Sequence, residues 1–159
     1  MDIDYGRGLP EAVRNPGGSV PVFGSNGVVG IHDEALYQEA GVVVGRKGSA
    51  GAAALSMKPC FPIDTTFYLR PRGGGAILPE FLYLVIDHHR FPTGGSGVPS
   101  LSKSKLSRYQ IPVPPIADQR AIVDTVFARE GTDPQNPGAV SDNKDEAFRR
   151  EFLTQQLGW

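Results

Sequence analysis

Apolar residues in this chain fall into short runs divided by glycine and proline, and the period within each run differs from one to the next. Residues 20–23 and 28–31 are β-prone runs joined by Gly24-Ser25-Asn26-Gly27, a connection that tolerates positive φ and reads as a hairpin-like turn. Gly41–Gly45 is a compact apolar strand bounded by glycines, and residues 65–69 are β-branched and aromatic enough for another. Sheet is therefore expected at the centre. Pro79 at a first turn, Glu80 near the positive end of the dipole and an apolar run to Asp87 predict a helix over 79–87. His88, His89 and Arg90 would sit at its negative end. A short helix over 103–108 follows, then a strand over 109–113 that stops at Pro114 and Pro115. A third helix is expected from Pro115 through Val126, where Asp118, Arg120, Asp124 and Arg129 alternate with Ile116, Ile122, Val123, Val126 and Phe127. That apolar stripe has helical spacing and must pack on something. A fourth helix over 142–156 carries Ala147, Phe148, Phe152 and Leu153 on one side, and could fold back or pair with another chain. Residues 1–18 hold Gly6, Gly8, Pro10, Pro16, Gly17 and Gly18 without either period, and read as an irregular lead-in. No internal repeat is visible.

Length and composition narrow the class. The 159 residues fit one domain with a modest core, and 40% hydrophobic with 21% charged residues is ordinary for a globular protein. Twenty glycines and 14 prolines favour a loop-rich, strand-containing fold over a helical bundle. The single cysteine, Cys60, leaves no internal disulfide framework and suits a reducing cytosol. No stretch approaches the ~20 apolar residues of a membrane span, and the acidic, glycine-containing start is unlike a signal peptide. A soluble, cytoplasmic protein without a membrane partner is expected.

Charge is uneven. The net charge of −1 argues against a general nucleic-acid coat, because phosphate neutralisation drives non-specific affinity. Residues 1–45 carry 2 basic and 6 acidic side chains, residues 46–110 carry 9 and 3, and residues 111–159 carry 5 and 8. The middle segment is thus strongly positive between two acidic ones. Either one face of the fold meets DNA, or these charges are a solvated surface that does not converge.

Several motifs invite chemistry and lose it on inspection. Gly45-Arg46-Lys47-Gly48-Ser49 has its lysine before the glycine, the reverse of a Walker loop, so ATP binding is not supported. Two cations and a serine remain, among glycines that allow close approach by a phosphodiester. The turn Gly24-Ser25-Asn26-Gly27 could offer Ser25 to a phosphate and Asn26 to an adenine edge, or could serve only as a turn. Ser100, Lys103, Lys105 and Arg108 alternate hydroxyls and cations near the start of the short helix. Ser-x-x-Lys spacings there lack the other partners of penicillin-binding enzymes. His32, His88 and His89 make no metal-ligand array with Cys60. Val113-Pro114-Pro115-Ile116 lacks the acid or amide of an adenine methyltransferase motif, and no cofactor loop follows a strand. No catalytic or metal-ligating constellation survives, and the chain is not expected to be an enzyme.

Five blocks occur in order: residues 21–30, residues 45–49, Phe61-Pro62-Ile63-Asp64-Thr65-Thr66, residues 94–101 and residues 111–123. With these blocks, the chain resembles one target recognition domain of the specificity (S) subunit of type I restriction-modification systems, over roughly residues 18–128. The resemblance implies an α+β fold with a twisted, mostly antiparallel sheet and flanking helices. It implies a recognition domain over 1–114 and a shortened helical spacer or assembly segment over 115–159. Only one copy of the series is present, and the two prolines and two glycines of 131–138 interrupt the long spacer helix that the family would lead one to expect. A half-subunit, a fragment or a standalone relative is expected.

By the same resemblance, Ser25, Asn26, Arg46, Lys47, Ser49, Thr65, Thr66, Ser100, Lys103, Lys105 and Arg108 are candidate contacts to double-stranded DNA. Ile116, Ile122, Val123, Val126 and Phe127 are the candidate surface for a partner or a second copy. The expected partners are modification subunits, which would carry the S-adenosylmethionine that this chain does not bind, and in a full phage-defence system a restriction motor subunit. A homodimer or a second half-subunit is also implied. Two other readings stand beside this one: an assembly or decoy module that has kept the fold without DNA affinity, and the recognition domain of an N6-adenine methyltransferase.

Overall fold

In a computed structural model, which describes residues 1–72, 75–89, 91, 97–133 and 145–158, the strand Gly41–Gly45 (here β4) is buried along its whole length. The elements before it are β1 (Asp2–Tyr5), a 3-10 turn over Glu11–Val13, β2 (Val20–Gly24) and β3 (Gly27–His32). After it come β5 (Ala53–Ser56), β6 (Phe61–Pro62), β7 (Thr66–Arg70) and the helices α1 (Pro79–His88), α2 (Lys103–Ser107), α3 (Ile116–Glu130) and α4 (Glu146–Leu157). One sheet runs β1-β7-β4-β5, antiparallel throughout. A second runs β3-β2-β6, antiparallel between β2 and β3 and parallel between β2 and β6.

Period-two alternation explains the layers. In β4 and β7, Val42, Val44, Phe67 and Leu69 face the main core with α1, while Val43 and Tyr68 join Phe23 and Cys60 in a second core on the other side. The four-stranded sheet is therefore covered on both faces, which is why β4 reads as continuous valine with no polar side. Burial pushes the Cys60 thiol and the Tyr68 phenol upward, so both stay neutral inside this second core. Tyr68 also donates to the Glu39 carbonyl at 2.6 Å and stacks on Tyr37 at 4.3 Å.

Helix α1 is buried from Glu80 through Ile86 and is apolar nearly all round, as a helix between a sheet and other helices must be. Its N-cap, Leu78, has no capping side chain of its own. Gln119 of α3 supplies the cap instead: its Oε1 accepts from Leu78 N at 2.9 Å, and its Nε2 donates to the Ala76 and Pro114 carbonyls at 2.8 Å. Helix α3 extends four residues past Val126 and stops at Gly131 in the left-handed region (φ 63°), with Thr132 N donating to the Phe127 carbonyl.

The structure revises several expectations. The lead-in is not wholly irregular: Asp2–Tyr5 pairs with β7 as an edge strand, and its Asp-Ile-Asp-Tyr alternation is the only sign of it in the sequence. Residues 109–113 pair in neither sheet. Pro112 and Pro114 remove donors, and Tyr109 is held by ring contacts to His89 at 3.7 Å and Phe91 at 5.4 Å. Residues 142–144 of the expected fourth helix and 134–138 of the expected break lie outside the described residues, as do Arg90 and residues 94–96.

The apolar stripe of α3 is the largest correction. Ile122, Val123, Val126 and Phe127 lie in the main core with α1 and with Leu153 of α4, so they are not a surface open to a partner; only Ile116 stays exposed, at 40%. Of the two fates open to α4, it folds back. Its Arg149 is buried and bonds Glu130 at the end of α3 through two oxygens, at 2.7 and 2.6 Å, and Asp87 of α1. Residues 115–159 thus share their core with the rest of the described chain.

Two substitutions test this arrangement. Val126→Asp is expected to abolish cooperative unfolding in urea, because it buries a carboxylate in the core without a partner. Arg149→Met leaves the Glu130 carboxylate uncompensated and is expected to lower unfolding free energy by about 3–5 kcal/mol in the same titration.

Candidate functional site

The antiparallel pairing brings four chain segments to one end of the main sheet. Gly45 pairs with Thr66, Phe67 with Tyr5, and Val44 with Ala53, so the exit from β4 and β1 and the entry to β7 and β5 lie together. The smaller sheet adds its own end: Gly24 pairs with Gly27, and Ile63 N donates to the Phe23 carbonyl at 2.9 Å. Backbone bonds then lock the loops to one another. Arg46 N and Lys47 N donate to the Thr65 carbonyl at 2.8 and 3.3 Å, Gly48 N to the Pro99 carbonyl at 3.1 Å, and Leu101 N to the Arg46 carbonyl at 2.9 Å. Lys47 and Ser100 form an isolated antiparallel bridge.

Glycine makes this crowding possible. A Cβ at Gly45 would overlap the Ser49 carbonyl oxygen and lie 2.9 Å from the Ser25 carbonyl oxygen, so the β2–β3 turn can sit against the 45–49 loop only because position 45 has no side chain. Gly48, with φ 78°, turns the same loop and faces the Ser25 hydroxyl.

Of the candidate contact residues, Ser25, Asn26, Arg46, Lys47, Ser49, Thr65, Ser100 and Lys103 come together here. Asn26, Lys47, Ser49, Ser100 and Lys103 are exposed, and Ser25, Arg46 and Thr65 are half-buried. Thr66 differs: it is fully buried and its hydroxyl donates to the Ile63 carbonyl at 2.7 Å, closing the turn into β7, so it has no free face for DNA. Ser102 caps α2 by accepting from Lys105 N at 3.2 Å. Lys105 and Arg108 stand exposed on α2 and its C-cap, and no bond ties them to the 45–49 loop.

Tyr5 was hidden in the sequence and is central in the structure. It is 50% exposed, its ring rests 5.2 Å from Phe67, and Arg46 Cζ and Lys103 Nζ lie 5.2 and 5.5 Å from its centroid. Arg46 also donates to the Asp64 carbonyl at 2.9 Å. Among the described residues, Arg46, Lys47, Lys103, Lys105 and Arg108 form no ion pair with a carboxylate, whereas Arg70, Arg72, Arg120, Arg129 and Arg149 each do.

A cleft of about 730 Å³ between the β4–β5 loop, the end of α1 and α4 is lined by Gly51, Asp87, His89, Phe91 and Arg149, and none of the candidate contact residues lines it. Among the described residues no group of three or more His, Cys, Asp or Glu could hold a metal ion, and no helix is long and apolar enough to cross a membrane.

The two sheets and their helices define an α+β fold shared with solved specificity subunits. The S subunit of a type I restriction-modification system from M. genitalium aligns with a TM-score of 0.68 at 19% identity, over 80% of this chain and 36% of its own. The HsdS subunit from Thermoanaerobacter tengcongensis gives 0.55 at 17%, over 98% and 42%. A chain from a structure of type I R-M complex assembly and conformational transition gives 0.59 at 19%, over 99% and 42%. The chain spans less than half the length of each. The model of the type I restriction modification DNA specificity domain matches residues 2–131, and the chain belongs to that family, whose members are non-catalytic specificity components. Comparison with curated proteins gives no match.

Gly45→Ala tests the crowding at this end. It is expected to cost about 1–3 kcal/mol in chemical denaturation, and to change the amide chemical shifts of Ser25 and Asn26 as the turn is pushed off the loop.

Proposed function

We propose that this chain reads a DNA sequence for a type I restriction-modification system and directs partner methyltransferase subunits, and in a complete system a motor-nuclease subunit, to that site. The observation that carries the reading is the set of cations without carboxylate partners at the loop end, in a protein whose net charge is only −1. A cation left free of carboxylates on a near-neutral protein is available to phosphate. Arg46, Lys47 and Lys103 would hold the DNA backbone and set orientation, while Ser25, Asn26, Ser49, Thr65 and Ser100 lie beside them as polar groups for phosphate or base edges. Lys105 and Arg108 would extend the phosphate contact along α2. The glycine-rich loops let backbone approach the duplex closely.

The chemistry would belong to the partners. A methyltransferase subunit would bind S-adenosylmethionine and take the target adenine out of the duplex, and this chain would supply the address. The system would work in a prokaryotic cytoplasm against incoming phage DNA. Because each solved relative is more than twice as long, one such chain corresponds to one half-site reader, and a second half or a second copy would supply the other. With the α3 stripe inside the core, that pairing would use other surfaces.

The test is selection from a randomised duplex library, with the chain alone and with a co-encoded methyltransferase subunit, followed by sequencing of retained DNA. Enrichment of a defined motif is the expected result; no enrichment in either format would favour an assembly module without DNA affinity. Arg46→Ala with Lys47→Ala is expected to weaken binding to all sequences alike and to reduce the slope of log K against log salt by about 2. An unchanged slope in a salt series would remove this loop from the interface.

A further inference from the structure

Tyr5 occupies a position that its local sequence does not explain. It ends an edge strand, where a half-exposed aromatic is ordinary, but its backbone is fixed from several directions. It pairs with Phe67 in register, its carbonyl accepts from the Tyr37 hydroxyl at 3.1 Å, and the next residue, Gly6, donates to the Thr66 carbonyl at 3.1 Å. The ring is therefore placed by the sheet. Two cations from distant parts of the chain then converge on it, Arg46 from the β4 exit and Lys103 from the start of α2. Two like charges over one ring repel each other, and neither has a carboxylate to offset that repulsion. What draws them together is the negative face of the ring.

We propose that Tyr5 is a positioning residue that gathers Arg46 and Lys103 into one two-cation clamp for the DNA backbone. This rests on the DNA-reading function above and adds to it a residue outside the glycine-rich and serine-rich loops. A carboxylate at position 5 would hold the same cations, but it would neutralise them and compete with phosphate. An aromatic ring holds them while leaving their charge for the ligand. The ring is what matters, so phenylalanine serves as well as tyrosine and an aliphatic residue does not. The clamp also makes β1 part of the site: without its pairing to β7 the cations lose their common support.

The experiment is a fluorescence-anisotropy titration of the full chain on a mixed-sequence duplex across a salt series, with wild type, Tyr5→Phe, Tyr5→Leu, Arg46→Ala/Lys103→Ala and that double variant carrying Tyr5→Leu. Tyr5→Phe is expected to bind within about twofold of wild type, and Tyr5→Leu about three- to tenfold more weakly with a shallower salt slope. Adding Tyr5→Leu to the double variant is expected to change nothing further. The clamp is overturned if Tyr5→Leu matches wild type, or if it weakens binding equally on both backgrounds with the slope intact, which would make the ring itself a base contact. It is also overturned if Tyr5→Phe behaves as Tyr5→Leu, which would give the role to the hydroxyl. Should Tyr5→Leu lose its fold by circular dichroism, the free wild-type protein decides: ring-current shifts on the Arg46 and Lys103 side-chain protons are expected, and their absence sinks the clamp. No duplex binding by wild type even at low salt would sink the DNA reading itself, whereas binding that ignores Tyr5 sinks only the clamp.

Discussion

The pairing of β4 with β7 is the constraint on which the rest of this structure depends. Both strands are buried on both faces, so each must satisfy its backbone inside the sheet and divide its side chains between two cores. Val42, Val44, Phe67 and Leu69 go to the helix side and Val43 and Tyr68 to the smaller sheet. A one-residue slip would exchange the two sets and put the Tyr68 phenol into the helix core, so the register is strongly specified. With it fixed, the end of β4 and the start of β7 lie side by side, and the 45–49 loop has nowhere to go but against Thr65.

The site follows from that end. Its loops are held to each other mainly through backbone bonds, which leaves the side chains of Lys47, Ser49, Ser100 and Lys103 in solvent. A family that varies the sequence it reads needs such a division, with main chain fixing the loops and side chains left to differ. At the opposite edge of the same sheet the cations are treated otherwise: Arg70 pairs with Asp4 and Arg72 with Asp2, both at 2.8 Å. Exposed pairs of this kind add little stability, so their main effect is on the distribution of free charge.

The helices close the main core in an order that the chain does not follow. Gln119 of α3 caps α1 from outside, and Arg149 of α4 joins the ends of α1 and α3 through buried ion pairs. A buried pair of this type costs desolvation that its geometry must offset, and its value lies in fixing which helix meets which. The surface that α3 might have offered to a partner is thereby occupied within the chain.

The sequence by itself determined the elements whose periods are strong: the hairpin around Ser25 and Asn26, the valine strand, the helix after Pro79 and the apolar stripe after Pro115. Its ordered motifs determined the family, and its charge distribution picked out the segment that holds the free cations. Only the tertiary structure decided where short or weakly patterned pieces go, because four residues such as Asp-Ile-Asp-Tyr or Ala-Ala-Leu-Ser become strands through the neighbour that pairs with them, and propensity alone is too weak to say so. For the same reason Thr66 turned inward and Tyr5 outward: burial at a strand end is set by what lies across the sheet. The stripe on α3 was legible as apolar, but whether it faced a partner or its own core depended on α4, whose distance along the chain carries no period at all.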